Sequence, residues 1–401
     1  MSINDFLDNV KLVLDKKLNE TQIVLVTGND SADLDSIISA LLLAYLNQKK
    51  TTSNSTLYIP LVKVPSCDLA LRPEVTFVFR RAGIDASKLI CIDHVDMKYW
   101  ENNNNVIKPA ILLVDHNRLT PPFSLIEHNC QVVGVVDHHV DEGAYLNAPL
   151  RWIEMVGSCT SQVVLLYQAE IEASLEEEKK TLATLALAPI LVDTIGLRWD
   201  LGKTTQKDVN AFSIVASIVF GDEGVQKLDN SSSINPQVLA YYDAIEDVKS
   251  QVDHLCTRDL LRKDYKQWTV NGYTVGTSSM DWYLKAWVDR DGYDQVVDDA
   301  RAFIKERQLD MLLVLTSYDH SKLGGGGSYE RELAFFVAND QLLQVKAELK
   351  DDQDVGMVSL LNGWGFHDDD GGRIGFYNQK NIKLSRKQIW PRLQDILLKL
   401  E

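Results

Sequence analysis

The first 200 residues alternate between short apolar runs and helical patterns. Between the first two runs, Ile37, Ile38, Leu41, Leu42 and Tyr45 recur at the spacing of a buried helix face. Short apolar strands separated by helices are typical of parallel sheets that are covered on both faces. We therefore predict an α/β domain with a doubly wound, mostly parallel sheet that binds ligands at the carboxyl ends of its strands. The predicted strands cover 22–28, 55–62, 88–93, 109–115 and 131–137.

The second half of the chain has a different order of patterns. Helical patterns cover 236–263, 292–307 and 385–400, and strand patterns cover 267–279, 310–317 and 332–338. This order predicts a smaller α+β domain. Polar, turn-forming composition at 221–237 indicates the boundary. We predict a first domain at 1–225, a linker at 226–238 and a second domain at 239–401, with glycine-rich loops at 323–330 and 367–372.

Length and charge narrow the classes of function. The chain has 401 residues, of which 45% are hydrophobic, so it can form two cores of ordinary size. It carries 41 basic and 57 acidic residues, a net charge of −16. This charge repels polyanions, so we expect no nucleic-acid partner and no anionic membrane surface. A phosphate-rich substrate would need locally placed cations.

The cysteines and the N-terminal residues bear on the cellular compartment. Five widely spaced cysteines fit neither a disulfide framework nor a CxxC zinc site, which favours a reducing compartment. The first ten residues lack the basic region of a secretory signal. The longest apolar stretch, 37–46, is shorter than the roughly 18 residues of a spanning helix. We therefore expect a soluble, cytoplasmic protein.

The segment GNDSADLDS, residues 28–36, lies between the first strand and the apolar helix. Asp33 or Asp35 could cap the helix by accepting hydrogen bonds from backbone N–H groups. Alternatively, both carboxylates could point oxygen ligands at two adjacent cations. The segment alone leaves both interpretations open.

Two later strands also end in ionisable residues. The first is followed by Asp115-His116-Asn117, and the second ends in Asp137-His138-His139. A single Asp at a strand end is usually a turn former. Three consecutive ionisable residues after a buried strand are costly to bury unpaired, and a metal ion removes that cost.

A fourth carboxylate, Asp193, interrupts the apolar run LAPILVDT, where it could also be the capped end of a helix. Together the four segments bring mostly carboxylates and one imidazole to one edge of one sheet. This ligand mix suits Mg²⁺ or Mn²⁺, and paired ions of this kind are typical of phosphoester hydrolysis. The residues concerned are Asp33, Asp35, Asp115, His138 and Asp193.

In this order, GNDSADLDS, LLVDHN, VVDHH and ILVDT resemble the four motifs of the DHH phosphoesterase superfamily. KDYKQW at 263–268 and SRKQIWP at 385–391 resemble signatures of its second, DHHA2-type domain. The resemblance covers nearly the whole chain. It implies a DHH domain followed by a DHHA2 domain, with the active site in the cleft between them. Within the superfamily, the chain most resembles fungal cytosolic exopolyphosphatases, and next family II inorganic pyrophosphatases.

The resemblance further implies two divalent cations per site. It assigns one to Asp35, Asp115, His138 and Asp193, and the other to Asp33 and Asp115. Asp137 would orient its neighbours, and His139 would face the phosphate. Family II pyrophosphatases carry His at the position of Asn29. Because Asn is a weaker ligand for transition metals, we expect Mg²⁺, with Mn²⁺ or Co²⁺ as alternatives.

In the second domain, Lys266, Arg386 and Lys387 match the family's phosphate-binding cations. Without the resemblance, solvated charges on a strand and a first helical turn would be the ordinary interpretation. Basic residues at a helix start oppose the dipole, which favours a functional reason.

The resemblance implies an exopolyphosphatase, which hydrolyses the terminal phosphate of inorganic polyphosphate and releases orthophosphate. Asp115, Asp137 and His139 would be its catalytic residues. A pyrophosphatase or nucleotide phosphodiesterase is the first alternative. A polyphosphate-binding scaffold without turnover is the second. The sequence identifies no partner protein.

Overall fold

The computed structural model describes residues 1–16, 21–51, 56–96, 108–221, 235–319, 329–364 and 371–400. The chain divides into two compact units, Met1–Val248 and Lys249–Glu401. Each unit has its own sheet and its own core, and each is described separately below.

The sheet of the first unit has six parallel strands in the order β3-β2-β1-β4-β5-β6. This confirms the predicted doubly wound α/β fold. The strand order reverses between β1 and β4, so the segments that follow these two strands flank the crevice where such sheets bind ligands. The strands are β1 Gln22–Thr27, β2 Thr56–Val62, β3 Ile90–Cys91, β4 Ala110–Val114, β5 Gln131–Asp137 and β6 Leu150–Ile153.

The second helix of this unit, Leu34–Lys50, lies at the centre of the core. It packs against β2 and against two later helices, so residues 34–46 are buried on every side. This explains its apolar composition all round. The helices are α1 Ile3–Lys16, α2 Leu34–Lys50, α3 Pro73–Arg81, α4 Cys159–Leu166, α5 Gln168–Glu172, α6 Glu176–Asp193, α7 Gln206–Phe220 and α8 Pro236–Lys249.

Helix α8 belongs to the first unit, since Val238, Tyr241 and Ile245 are buried in its core. The predicted helix 236–263 is wrong in one respect, because it is two helices, α8 and α9 (Thr257–Lys263). Helix α8 ends at Lys249, residues 250–256 are not helical, and Cys256, with φ −64° and ψ 159°, is the N-cap of α9. Of the predicted linker, 226–234 lies outside the described residues, so the predicted boundaries stay predictions.

The second unit contains a mixed sheet in the order β12-β13-β11-β9-β8-β7, with β10 paired to β11. Strands β8 and β9 are parallel and the other pairs are antiparallel. The predicted strand 267–279 is a hairpin, because Asn271 and Gly272 both have positive φ and form a tight turn. The strands are β7 Tyr265–Val270, β8 Tyr273–Met280, β9 Met311–Thr316, β10 Tyr318–Asp319, β11 Tyr329–Val337, β12 Met357–Ser359 and β13 Ile374–Gln379.

Helices cover both faces of this sheet and bury two apolar clusters, which confirms the predicted α+β class. Its helices after α9 are α10 Leu284–Asp291, α11 Tyr293–Arg307, α12 Leu343–Asp351, α13 Leu361–Trp364 and α14 Arg386–Leu397. Of the predicted glycine-rich loops, 323–328 and 367–370 lie outside the described residues. Within the described ranges, no helix has both the length and the apolar composition needed to cross a bilayer.

Candidate metal centre

The segment after β1 is held in place by buried polar contacts. Asp33 caps α2, because its Oδ1 accepts a hydrogen bond from the Ser36 N–H at 2.9 Å. The buried Arg72 guanidinium donates to the carbonyls of Ser31 and Ala32, which fixes the preceding turn. Gly28 is required here, since a Cβ on it would lie 2.5 Å from the Ser36 side chain. Asp33 is therefore the N-cap of α2, as one of the two interpretations proposed. Its role as a metal ligand stays a prediction.

Asp115 follows β4 with φ +59°, a conformation that costs energy for a residue other than glycine. Its carboxylate is 2% exposed. Oδ2 accepts hydrogen bonds from Asn29 Nδ2 and from Ser36 Oγ, both at 2.6 Å. Oδ1 points the other way and lies 3.0 Å from His138 Nε2. The two oxygens of Asp115 thus have different neighbours.

Asn29 presents its amide nitrogen to Asp115. Its Oδ1 accepts hydrogen bonds from the Ser31 N–H at 2.9 Å and the Ser31 hydroxyl at 2.6 Å. An amide nitrogen is a donor and offers no lone pair to a cation. In this conformation Asn29 positions Asp115, and its predicted role as a metal ligand stays a prediction.

Asp35 is held by the segment that begins α4. Its Oδ1 accepts hydrogen bonds from Ser158 Oγ, Thr160 N and Thr160 Oγ1 at 2.7–2.9 Å. Its Oδ2 accepts one from Cys159 N at 2.8 Å and lies 3.7 Å from His138 Nε2. The donors fix the carboxylate so that Oδ2 faces His138.

A second buried carboxylate, Asp208, holds the same segment from another side. It accepts hydrogen bonds from Gly157 N, Ser158 N and Ser161 Oγ at 2.7–3.2 Å. It also accepts two from Thr205, in the capping box of α7. Sequence analysis did not identify Asp208 or Arg72, and the only sign of this arrangement was the Ser/Thr-rich start of α4.

Asp137 orients the histidines that follow it. Its Oδ1 accepts hydrogen bonds from the backbone N–H groups of His138 and His139 and lies 2.8 Å from His139 Nδ1. Its Oδ2 accepts one from Asn117 Nδ2. Burial alone would raise the pKa of the Asp137 carboxyl, but the imidazoles of His139 and His138 lower it below its usual range.

At this edge of the sheet, two groups of side chains have ligand atoms within 4.8 Å of one another. One group is Asp115, His138 and His139, and the other is Asp35, His138 and Asp193. His138 is 1% exposed and belongs to both. Asp193 comes from the last turn of α6. Five of the predicted site residues therefore converge, and their carboxylate and imidazole donors fit divalent cations.

Elsewhere in the first unit, the ligand atoms of Cys91, Asp93 and His94 also lie within 4.8 Å of one another. These residues are engaged in a turn, because His94 Nδ1 accepts a hydrogen bond from Cys91 N and Asp93 accepts two from Ser66. Burial raises the pKa of the Cys91 thiol to about 12, so the thiolate that binds metals is disfavoured. This group is a structural cap.

In the second unit, Arg386 begins α14 and is paired with Asp264. Its guanidinium donates to the Asp264 carbonyl at 3.0 Å and to Oδ1 at 2.6 Å. Burial would raise the pKa of the Asp264 carboxyl, but Arg386 and Lys266 lower it. Trp268 and Trp390 stack with ring centroids 4.0 Å apart and join β7 to α14. Asp264 and the stacked indoles thus fix Arg386 relative to β7, where Lys266 lies.

Comparison with known proteins gives two family models that together span most of the chain. The model of the DHH family, N-terminal domain, matches residues 23–190. The model of the DHHA2 domain matches residues 243–396.

Several proteins are similar over long stretches. A Schizosaccharomyces pombe protein named "Putative exopolyphosphatase" is 29% identical, over 92% of this chain and 90% of its own. A "Manganese-dependent inorganic pyrophosphatase" of Methanocaldococcus jannaschii is 25% identical, over 64% of this chain and 70% of its own. The crystal structure of a Methanococcus jannaschii "putative family II inorganic pyrophosphatase" matches with a TM-score of 0.60 and 20% identity. It covers 93% of this chain and 99% of that one, which establishes the likeness of fold.

Proposed function

The chain belongs to the DHH phosphoesterase superfamily, with a DHH domain followed by a DHHA2 domain, and on that premise we propose that it is an exopolyphosphatase. The reaction is metal-dependent hydrolysis of the terminal phosphate of inorganic polyphosphate, which releases orthophosphate. The observation that carries the proposal is the convergence of Asp35, Asp115, His138 and Asp193 at the carboxyl edge of the sheet.

Divalent cations fit this donor set, because buried carboxylates at such short distances repel one another unless a cation neutralises them. In our proposal one ion is held by Asp35, Asp115, His138 and Asp193, and a second by Asp33 and Asp115. When bound, such ions lower the pKa of water and neutralise phosphate oxygens. We propose Mg²⁺ as the physiological metal, with Mn²⁺ or Co²⁺ as alternatives, because Asn29 offers an amide where an imidazole would favour transition metals.

The protein's own groups supply orientation and charge. Asp115 Oδ2 is fixed by Asn29 and Ser36, so its Oδ1 is directed at His138 and lies 3.6 Å from His139 Nδ1. Asp137 accepts a hydrogen bond from the Nδ1–H of His139, so the protonated imidazolium can donate its Nε2–H to a phosphate oxygen. Because the His139 side chain is 23% exposed, substrate can reach it.

The second unit contributes phosphate-binding cations in our proposal. Arg386 can donate hydrogen bonds to two phosphate oxygens, whereas Lys266 and Lys387 act as point charges. The low pKa of Asp264 keeps its carboxylate ionised and paired with Arg386, which orients the guanidinium. Such local cations are what a polyanionic substrate requires on a chain with a net charge of −16.

An inorganic pyrophosphatase is the second candidate. The similarity to the manganese-dependent pyrophosphatase supports it, although that match covers 64% of this chain against 92% for the fungal protein named as an exopolyphosphatase. Asn29 also favours the exopolyphosphatase. We place the protein in the cytoplasm, on the ground that its five cysteines are free thiols and Cys91 and Cys159 are buried.

The test is hydrolysis of four substrates, each assayed with Mg²⁺ and with Mn²⁺, by orthophosphate release from the three inorganic substrates and by AMP formation from the nucleotide. The substrates are long-chain polyphosphate, tripolyphosphate, pyrophosphate and cyclic AMP. We expect turnover of both polyphosphates, with kcat/KM at least about tenfold above that for pyrophosphate, a difference of about 1.4 kcal/mol. A preference for pyrophosphate would establish the second candidate instead, and turnover of cyclic AMP alone, with AMP as product, would exclude both.

A further inference from the structure

The segment 371–394 of the second unit has a composition opposite to that of the whole chain. It contains no Asp or Glu, although the chain carries 57 acids. The segment therefore differs in charge from the rest of the chain, although Asp352 and Asp354 lie against it and contact Arg392. Its six cations are Arg373, Lys380, Lys383, Arg386, Lys387 and Arg392.

The central part of this segment, residues 380–385, joins β13 to α14 and is held by the buried Gln379. The Gln379 amide donates to the carbonyls of Asn381 and Leu384 at 2.6 and 2.7 Å. Ser385 caps α14 in a capping box with Gln388. These contacts fix the backbone of the connection.

Arg331 on the neighbouring strand β11 contacts the same connection. It is the register partner of Gln379, and its Nε donates to the Ile382 carbonyl at 2.9 Å. Alternation along β11 directs the adjacent Glu330 to the opposite face of the sheet. The Arg331 guanidinium therefore lies beside residues 380–385, on the face that α14 covers.

Lys380 and Lys383 are exposed, and neither side chain has an ion-pair partner among the residues that the structure describes. The three arginines of the segment differ, because Arg373 pairs with Asp340, Arg386 with Asp264 and Arg392 with Asp352. The fixed backbone of this connection thus carries two exposed lysines on the same stretch of chain as Arg386. Lys383 is three residues from Arg386 and Lys380 is six, so the Cα atoms lie within about 10 and 20 Å of Arg386.

We propose that Arg331, Lys380 and Lys383 form a distal subsite for the internal phosphates of a polyphosphate chain. The proposal rests on the proposed function, in which Arg386 and Lys387 bind phosphates near the chain end. Each internal phosphate of the chain carries one negative charge. Several cations in a row suit such a repeating anion better than one bidentate guanidinium does. A short chain held at Arg386 gains little from Lys380, whereas a long chain contacts the whole row.

The test compares the full-length protein with the double variant Lys380→Ala/Lys383→Ala on tripolyphosphate and on long-chain polyphosphate. Loss of two exposed charge contacts weakens binding of the anion by about three- to twentyfold. We expect kcat/KM on the long chain to fall by that factor and kcat/KM on tripolyphosphate to stay within about twofold. The salt dependence on the long chain should also weaken, because screening acts on the charges that were removed.

The matched control is Lys305→Ala/Lys399→Ala, which removes two exposed lysines of the same unit. Lys305 is in the last turn of α11 and Lys399 follows α14, both toward the opposite end of the sheet. The control should leave both substrates unchanged. Equal losses on both substrates in the Lys380/Lys383 variant, or no loss on the long chain, would overturn the subsite.

Failure of the proposed function would look different, since the wild type would then release no phosphate from either polyphosphate. Calorimetric titration with long-chain polyphosphate in EDTA tests the subsite without turnover. The Lys380/Lys383 variant should bind the long chain more weakly than the wild type and the control do. Equal binding by all three proteins would overturn the subsite.

Discussion

Asn29 and Asp115, 86 residues apart, meet in a hydrogen bond of 2.6 Å from the amide nitrogen to carboxylate Oδ2. Ser36 donates to the same oxygen, so Asp115 turns its other oxygen toward His138. The amide thus acts on the site through Asp115. Any replacement of Asn29 changes both the donor set and the orientation of this carboxylate.

We predict that Asn29→His shifts the metal preference from Mg²⁺ toward Mn²⁺ or Co²⁺. An imidazole offers a nitrogen ligand that suits transition metals better than Mg²⁺. The ratio of activity with Mn²⁺ to activity with Mg²⁺ should rise by about tenfold or more, which corresponds to about 1.4 kcal/mol. Asn29→Ala is the control, because it removes the donor without supplying an imidazole and should lower activity with every metal alike. An unchanged ratio in Asn29→His would refute the predicted ligand position.

Asp115→Ala should abolish turnover without unfolding the chain. Asp115 belongs to both proposed ion sites, so its loss removes several kcal/mol of transition-state stabilisation. Residual kcat should be below about a tenth of the wild-type value, and circular dichroism should show an unchanged fold. A folded Asp115→Ala protein with more activity than this would contradict the assignment of Asp115.

Asp208→Ala should destabilise the first unit and weaken metal binding. It leaves the buried donors of Ser158 and Ser161 and the partly buried donor of Gly157 without an acceptor, which costs about 3 kcal/mol. The same loss frees the segment that holds Asp35, so calorimetry should show lower affinity for Mg²⁺. Asp8→Ala, on the surface of the same unit, should change neither quantity. Normal metal affinity in a folded Asp208→Ala protein would show that Asp208 supports the fold alone.

The contacts of this site that could be predicted from sequence are those between residues close together in the chain or at the ends of neighbouring strands. Asp137 and His139 are two residues apart, and their contact follows from that spacing at a strand end. The strand pattern also places Asp115 and His138 at one edge of a parallel sheet. These relationships need only local geometry and the rule that parallel strands end on the same side.

The contacts that escaped prediction join distant parts of the chain. Asp208 contacts Ser158 from 50 residues away, and Arg72 contacts Ser31 from 41 residues away. Neither residue stands out in a sequence, because a buried carboxylate or guanidinium looks the same as a surface one until its partners are known. Sequence does not reveal the break between α8 and α9 for a related reason, since the helical spacing of apolar residues continues across the non-helical residues 250–256.

Arg386→Ala and Lys387→Ala should separate substrate binding from metal binding. Each should lower kcat/KM for polyphosphate by roughly one to three decades, as expected for loss of a charge-assisted contact with some misalignment. Metal affinity measured by calorimetry should stay intact. Higher ionic strength should weaken the wild type more than either variant.

Arg386→Lys is the control variant, because it retains the positive charge but loses the pair of hydrogen bonds to Asp264. It should fall between the wild type and Arg386→Ala. Should the alanine variants lose bound metal, or keep normal kcat/KM, these cations are not substrate ligands.

Glu332 makes the stability of the second unit depend on pH. Burial raises the pKa of its carboxyl to about 7, and the nearby Glu330 adds to the effect. Because the pKa is higher in the folded state than in the unfolded chain, the folded state binds the proton more tightly. The resulting stability is fully present below the unfolded pKa of about 4.5 and is lost as pH rises toward 7.

We therefore predict that between pH 5 and pH 8 the free energy of unfolding falls by about 2–3 kcal/mol more in the wild type than in Glu332→Gln. Glu332→Gln keeps an acceptor for the Leu284 N–H but cannot ionise, so this part of the pH dependence should vanish. Urea unfolding followed by the fluorescence of the indoles, which include the buried Trp287 of the same unit, measures both proteins. Glu348→Gln, on an exposed face of α12, should retain the wild-type slope. Parallel slopes for the wild type and Glu332→Gln would show that Glu332 does not titrate in this range.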